Sequence, residues 1–132
     1  MDPLVPAHPT PPRVNTIPVF VYGTLKRGHG NHRELEGATF LGEAQTVDRY
    51  ALHVQGLPMV DRNNPVSVIH GELYRVDRAT FADLDRLEGH PHCYCRSLTR
   101  VVRTDGTTEA AWMYFFKEPD GPIIESGRYL RV

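Results

Sequence analysis

Four apolar or aromatic residues, Val19 to Tyr22, follow one another without a charge, and the pattern breaks at Gly23. An uncharged, β-forming run of this kind predicts a buried strand over residues 17–22. A second pattern lies further on. Phe81, Leu84 and Leu87 recur every three positions and give one apolar stripe to a helix over residues 78–87. Asp77 is placed to cap that helix, Gly89 to end it, and Pro91 to forbid its continuation. Residues 39–46, 50–54 and 66–76 are rich in β-formers and predict strands, with Gly71 read as a bulge. Between them lie a bend with an apolar return at 56–60 and a turn at 63–65. Residues 94–103 and 107–116 predict a hairpin about Asp105 and Gly106. Residues 31–36 predict a short helix capped by Asn31.

The two ends of the chain read differently from its middle. Residues 1–15 contain five prolines and little that can pack, which predicts a disordered, Pro-rich tail and a domain over residues 16–132. The stretch after Lys117 is rich in Gly and Pro and is expected to wrap the surface. Many strands and one or two helices predict an α+β domain. Regular crossover helices are missing from the pattern, which argues against a doubly wound parallel sheet. A small, mostly-β mixed barrel flanked by one or two short helices fits best.

Composition narrows the function. At 132 residues the chain forms one core. Its 15 basic residues balance 16 acidic ones, so no nucleic-acid or anionic-membrane partner is indicated. No apolar run approaches a membrane span. The start has neither a basic segment nor an apolar core typical of a signal peptide, so a cytoplasmic location is expected. Cys93 and Cys95, the only cysteines, are one residue apart on an expected strand, poorly placed for a mutual disulfide.

Two segments carry candidate chemistry. A strand that ends at a glycine lets backbone N–H groups turn away from the sheet and converge, and such a concavity suits a carboxylate or phosphate. The run from Val19 to Gly28, which breaks at Gly23 and enters a loop containing Gly28 and Gly30, is that segment. Glu88 is the second candidate. At a helix C-terminus, unpaired carbonyls create partial negative charge, and partial burial adds to it. Both raise the pKa of a carboxyl group, as a general base working near neutral pH requires. The alternative is an exposed surface glutamate. Tyr22, Tyr94 and Tyr114 lie on expected strands, either packed with their hydroxyls bonded locally or forming a pocket wall. His90, His92, Cys93 and Cys95 crowd into six residues with Pro91 among them, unlike the two separated pairs of a structural zinc site. No metal and no cofactor is expected. Phosphate-loop, dinucleotide and nucleophile-elbow motifs are absent.

The run from Val19 to Gly28 (VFVYGTLKRG), with Asn31 and His32, resembles the opening motif of the γ-glutamylcyclotransferase-like proteins, most of all the γ-glutamylamine cyclotransferase branch. Residues 71–77 (GELYRVD), 84–96 (LDRLEGHPHCYCR) and 111–114 (AWMY) resemble the family's central strand, its catalytic segment and the strand after it. The resemblance implies a small β-barrel flanked by helices. It implies closure of a γ-glutamyl amide to 5-oxoproline with release of an amine. Glu88 stands at the position of the catalytic glutamate. The substrate site implied comprises Tyr22, Gly23, Thr24, Leu25, Tyr94 and Tyr114, without metal or cofactor. The expected partner is a small γ-glutamyl substrate, and a monomer is expected. The segment after Lys117 departs from the γ-glutamylamine branch. A binding module of the same fold without turnover is the alternative, and a zinc-binding interaction module at residues 90–95 is a third reading.

Overall fold

The computed structural model describes residues 14–130. Its strand β1 (Ile17–Val21) lies between two neighbours, antiparallel to β4 (Ser67–Val76) and parallel to β6 (Thr108–Phe116). The lack of charge in β1 follows from that place, because both of its faces are covered. Side chains alternate along a strand. Phe20 and the following Tyr22 join one core cluster, with Leu52, Ile69, Leu73 and Met113. Val19 and Val21 join another, with Leu25, Leu35 and Leu84. The first cluster fills the barrel. The second lies beneath α1 (Arg78–Glu88) and the 3-10 turn His32–Leu35. Each fully buried side chain of this size stabilises the fold by about 1.5–3 kcal/mol.

The strand order runs β2 (Thr39–Val54), β4, β1, β6, β5 (Tyr94–Arg103), and β5 pairs back onto β2. Five strands therefore close a mixed barrel, the form expected from the sequence. Strand β3 (Pro58–Asp61) adds a short antiparallel flap to the far half of β2. Closure rests on three residue pairs, Ala44 with Arg103, Gln45 with Val102 and Thr46 with Val101.

Several local expectations change. Residues 39–54 form one long strand rather than two. Its register against β4 shifts between Gln45 and Arg49. The buried Thr46 satisfies the kink internally: its hydroxyl donates to the Asp48 carbonyl and accepts from the Ile69 amide. Asn31 does not cap a helix. Its amide donates to Thr24 Oγ1 at 2.9 Å, and the turn that follows is 3-10. Asp77 does cap α1, accepting from the Thr80 amide at 2.7 Å, and Gly89 closes it in the left-handed conformation. Within the apolar stripe, Leu84 is fully buried, but Leu87 is exposed. The segment after Lys117 is anchored as well as wrapped: the Ile124 amide donates to Leu52 and the His70 amide to Gly127. The expected disordered tail lies outside the described residues apart from Val14 and Asn15. Asn15 already donates to the Gly37 carbonyl at 2.9 Å.

Gly71 is no bulge. It pairs in register with Ala44. A side chain there would meet the Val21 carbonyl oxygen, and its Cβ would lie 2.8 Å from Cζ of the buried Phe20. Neither group can withdraw without opening the contact of β1 with β4. Gly71→Ala is expected to cost about 1–3 kcal/mol or more, read as a lowered midpoint in urea unfolding. An unchanged midpoint would show that β1 and β4 have slack at this point.

Candidate active site

Because β1 and β6 are parallel, their C-terminal ends emerge at the same end of the barrel. Strand β5 is antiparallel to β6 and begins there, with Tyr94 opposite Phe116 and Arg96 opposite Tyr114. Helix α1 ends only a few residues before β5, at the Gly89 turn. The topology thus gathers Tyr22, Tyr94, Tyr114 and Glu88 around one opening. A cavity of about 220 Å³ lies among them. The expected catalytic and substrate-binding residues all line it: Glu88, the three tyrosines, and Gly23, Thr24 and Leu25.

Sequence reasoning missed the other walls. Asn31 and Pro58 line the cavity, and Leu57 and Leu87 flank it as exposed apolar side chains. Pro58 comes from the β3 flap, and no local signal joins it to Gly23. A Cβ on Gly23 would lie 2.6 Å from Pro58 Cγ. Gly23 does not have a positive φ, so close approach of the flap, and not backbone conformation, calls for glycine here.

The polar groups divide into two sets. On one side is the segment after β1. The Thr24 carbonyl accepts from the Asn31 amide at 2.9 Å, and the Gly23 carbonyl from the Lys26 amide at 3.1 Å. Among the described residues, the amides of Gly23, Thr24 and Leu25 donate to no backbone or side-chain acceptor. Three successive N–H groups without protein partners are suited to an anion. Lys26 ties this loop to the C-terminal segment by donating to the Tyr129 carbonyl at 2.8 Å.

On the other side stand acceptors. Tyr22 donates its hydroxyl proton to the Tyr114 carbonyl at 2.7 Å, Tyr94 donates to the Pro58 carbonyl at 2.6 Å, and Tyr114 donates to Asp85 at 2.6 Å. Burial holds all three hydroxyls well above the ordinary tyrosine pKa, and the charge of Glu88 raises each further. Burial also lifts Glu88 from 4.5 to about 7. A carboxyl group near pKa 7 is present in both protonation states at neutral pH and can accept a proton and return it.

The cysteine–histidine segment does something else. His90 Nδ1 accepts from the Arg96 amide at 3.2 Å, and both cysteines are free thiols. Among the described residues no group of three or more His, Cys, Asp or Glu could hold a metal ion, and no helix is long and apolar enough to cross a membrane.

The raised pKa has a consequence for stability. An unfolded glutamate ionises near 4.5 and the folded Glu88 near 7. The folded state therefore carries no penalty from this group below about pH 4.5, and stability is lost as pH rises through 7. Glu88→Gln removes the loss. The variant's stability relative to wild type should rise by about 3 kcal/mol between pH 4 and pH 8, measured by urea unfolding at both values. A difference that does not change with pH would mean that Glu88 ionises normally.

Comparison with known proteins agrees with the geometry. Residues 19–131 match the family model described as gamma-glutamyl cyclotransferase, AIG2-like. MJ1514 of Methanocaldococcus jannaschii is 41% identical over 112 residues, which are 84% of this chain and 93% of its own. The gamma-glutamylcyclotransferase family protein YtfP of Escherichia coli K12 is 37% identical over 115 residues, 85% of this chain and 95% of its own. Among solved structures, a mouse aig2-like protein superposes with a TM-score of 0.77 at 26% identity, covering 90% of this chain and 98% of that one. The uncharacterized protein PH0828 of Pyrococcus horikoshii gives 0.68 at 30% identity, covering 86% and 89%. The match spans the barrel, the amide-lined loop and the segment holding Glu88, and the chain belongs to the gamma-glutamyl cyclotransferase, AIG2-like family.

Proposed function

We propose that the protein is a γ-glutamylamine-type cyclotransferase, with Glu88 as its acid–base group. The observation that carries this reading is the pairing of a partly buried, partly neutral carboxyl group with three amides that have no acceptor among the described residues, around one small cavity. A γ-glutamyl amide has an α-carboxylate and an α-ammonium at one end. The carboxylate fits the amides of Gly23, Thr24 and Leu25. The ammonium fits the side lined by Glu88 and the tyrosine oxygens.

The chemistry then needs few parts. The Glu88 carboxylate takes one proton from the ammonium. The freed amine attacks the γ-carbonyl carbon of the same molecule and closes a five-membered ring. The carbonyl oxygen becomes an oxyanion in the tetrahedral intermediate. Protonated Glu88 gives its proton to the departing nitrogen and the C–N bond breaks; the carboxylate so restored takes the second proton from the ring nitrogen and passes it to the released amine, so that 5-oxoproline and an ammonium leave. Holding the chain folded, with the amine against the carbonyl, replaces an encounter between two molecules.

A second, more open cleft supports an amine as the leaving group. It shares Glu88, Leu57, Leu87 and Tyr94 with the cavity and continues along Met59 and Phe116. Glu118 and Asp120 lie at its edge, while Arg86 is ion-paired with Asp83. Apolar walls suit an alkyl chain, and the acidic edge disfavours the carboxylate of an α-amino acid leaving group.

The test is 5-oxoproline formation across a panel of γ-glutamyl alkylamines, γ-glutamyl dipeptides and glutathione. Alkylamine substrates should turn over fastest. kcat/KM should rise about tenfold per pH unit below 7 and level off above it, because free Glu88 must be ionised to accept the proton. Glu88→Gln should lower kcat by about 10³–10⁴-fold while leaving 5-oxoproline affinity within a few-fold. Binding of γ-glutamyl compounds without turnover of any would favour a binding module. Full activity of Glu88→Gln would remove Glu88 from the reaction.

A further inference from the structure

Asp85 precedes Glu88 by three residues on α1, so the two share a helix face. Its carboxylate does not point to open solvent. Asp85 Oδ1 accepts from the Tyr114 hydroxyl at 2.6 Å and from Arg96 Nε at 2.9 Å, and Oδ2 accepts from Arg96 Nε at 3.2 Å. Arg96 is itself held, 4.4 Å above the Phe81 ring and 4.7 Å above that of Trp112. Asp85 thus ties the last turn of the helix to β5 and β6.

The bond to Tyr114 matters for the cavity. A phenol has one proton to donate. Tyr22 and Tyr94 give theirs to backbone carbonyls. Tyr114 gives its proton to a side chain, so this is the one tyrosine of the three whose hydroxyl direction a side-chain acceptor sets. With that proton on Asp85, the Tyr114 oxygen has only lone pairs left to offer. Without Asp85 the hydroxyl is free to turn its proton toward the cavity and meet the substrate ammonium with a donor instead of a lone pair.

We propose that Asp85, held by Arg96, is a positioning residue: it takes the Tyr114 proton, keeps that tyrosine an acceptor toward the substrate ammonium, and anchors the turn that carries Glu88. The inference rests on the reaction proposed above. It also excludes a role. In this arrangement Tyr114 cannot serve as the donor to the oxyanion.

Two measurements test it. The first needs no substrate: NMR of 13Cζ-labelled tyrosine, with Tyr114→Phe used to assign the signal. The charged groups around the hydroxyl are Asp85 and Glu88 from α1 and Arg96 from β5. In wild type the Tyr114 hydroxyl should stay protonated through about pH 11. In Asp85→Asn the Tyr114 13Cζ resonance should shift at neutral pH, because the phenol loses its charged acceptor. The second is a double-mutant cycle on 5-oxoproline formation. Asp85→Asn and Tyr114→Phe should each lower kcat/KM by about 10–100-fold, as expected for loss of a charge-assisted hydrogen bond, and the double variant should be no worse than the poorer single one. A purely structural Asp85 would give losses that multiply, and that result overturns the proposal. So does an unmoved Tyr114 signal, whatever the activity. Tyr114→Phe loses only a hydroxyl, so it decides the matter if Asp85→Asn does not fold: unchanged kcat/KM in that variant also overturns the proposal. A wild type inactive on every γ-glutamyl compound, with the Tyr114 signal shifted in Asp85→Asn, would instead overturn the reaction and leave the Asp85–Tyr114 bond standing.

Discussion

The pairing of β2 with β5 is the constraint on which the rest of the structure depends. Without those three residue pairs the sheet would be open and twisted, and β1 would not be enclosed. Closure requires β2 to serve β3, β4 and β5 along one run of residues. A regular strand cannot turn that far, and β2 kinks where Thr46 hydrogen-bonds across its own register shift. Once the barrel is closed, the parallel placement of β1 beside β6 puts the end of each at one opening. The cavity is a product of topology before it is a product of any side chain.

Within that cavity, function and stability pull against each other. Among the described residues three backbone amides have no acceptor, and a partly buried carboxyl group has no counter-ion to offset its lost hydration. Each feature weakens the folded state when nothing is bound. Each becomes favourable when an anion meets the amides and an ammonium meets the carboxylate. The barrel core, with Phe20, Leu52, Ile69, Leu73 and Met113 all but fully buried, supplies the stability that lets such a site exist.

How much of this could be read from the sequence depended on how local the cause was. The uncharged run in β1, the Asp77 cap, the Gly89 stop and the turn at Asp105 and Gly106 are set by neighbours in the chain, and all were legible. Glu88 stood out for the same reason, as a carboxylate at a helix end beside a glycine. The single strand β2 was not legible, because Val47, Asp48 and Arg49 look like a break and only pairing with β4 and β5 carries the strand through them. Gly71 resembled a bulge, while its real cause is the Val21 carbonyl, fifty residues away in the chain. Pro58 entered the site through the β3 flap, and Asn31 served Thr24 rather than a helix. Asp85 could have been found: it sits at the i−3 position from Glu88, and that spacing alone places the two on one face.

The account stands on the state of one carboxyl group. NMR titration of the Glu88 side-chain carbon, in protein labelled at glutamate and assigned with Glu88→Gln, measures it directly. The account predicts a midpoint near 7, raised by burial. A midpoint near the ordinary 4.5 would contradict it, because Glu88 would then be an exposed, permanently ionised group with no capacity to return a proton at neutral pH.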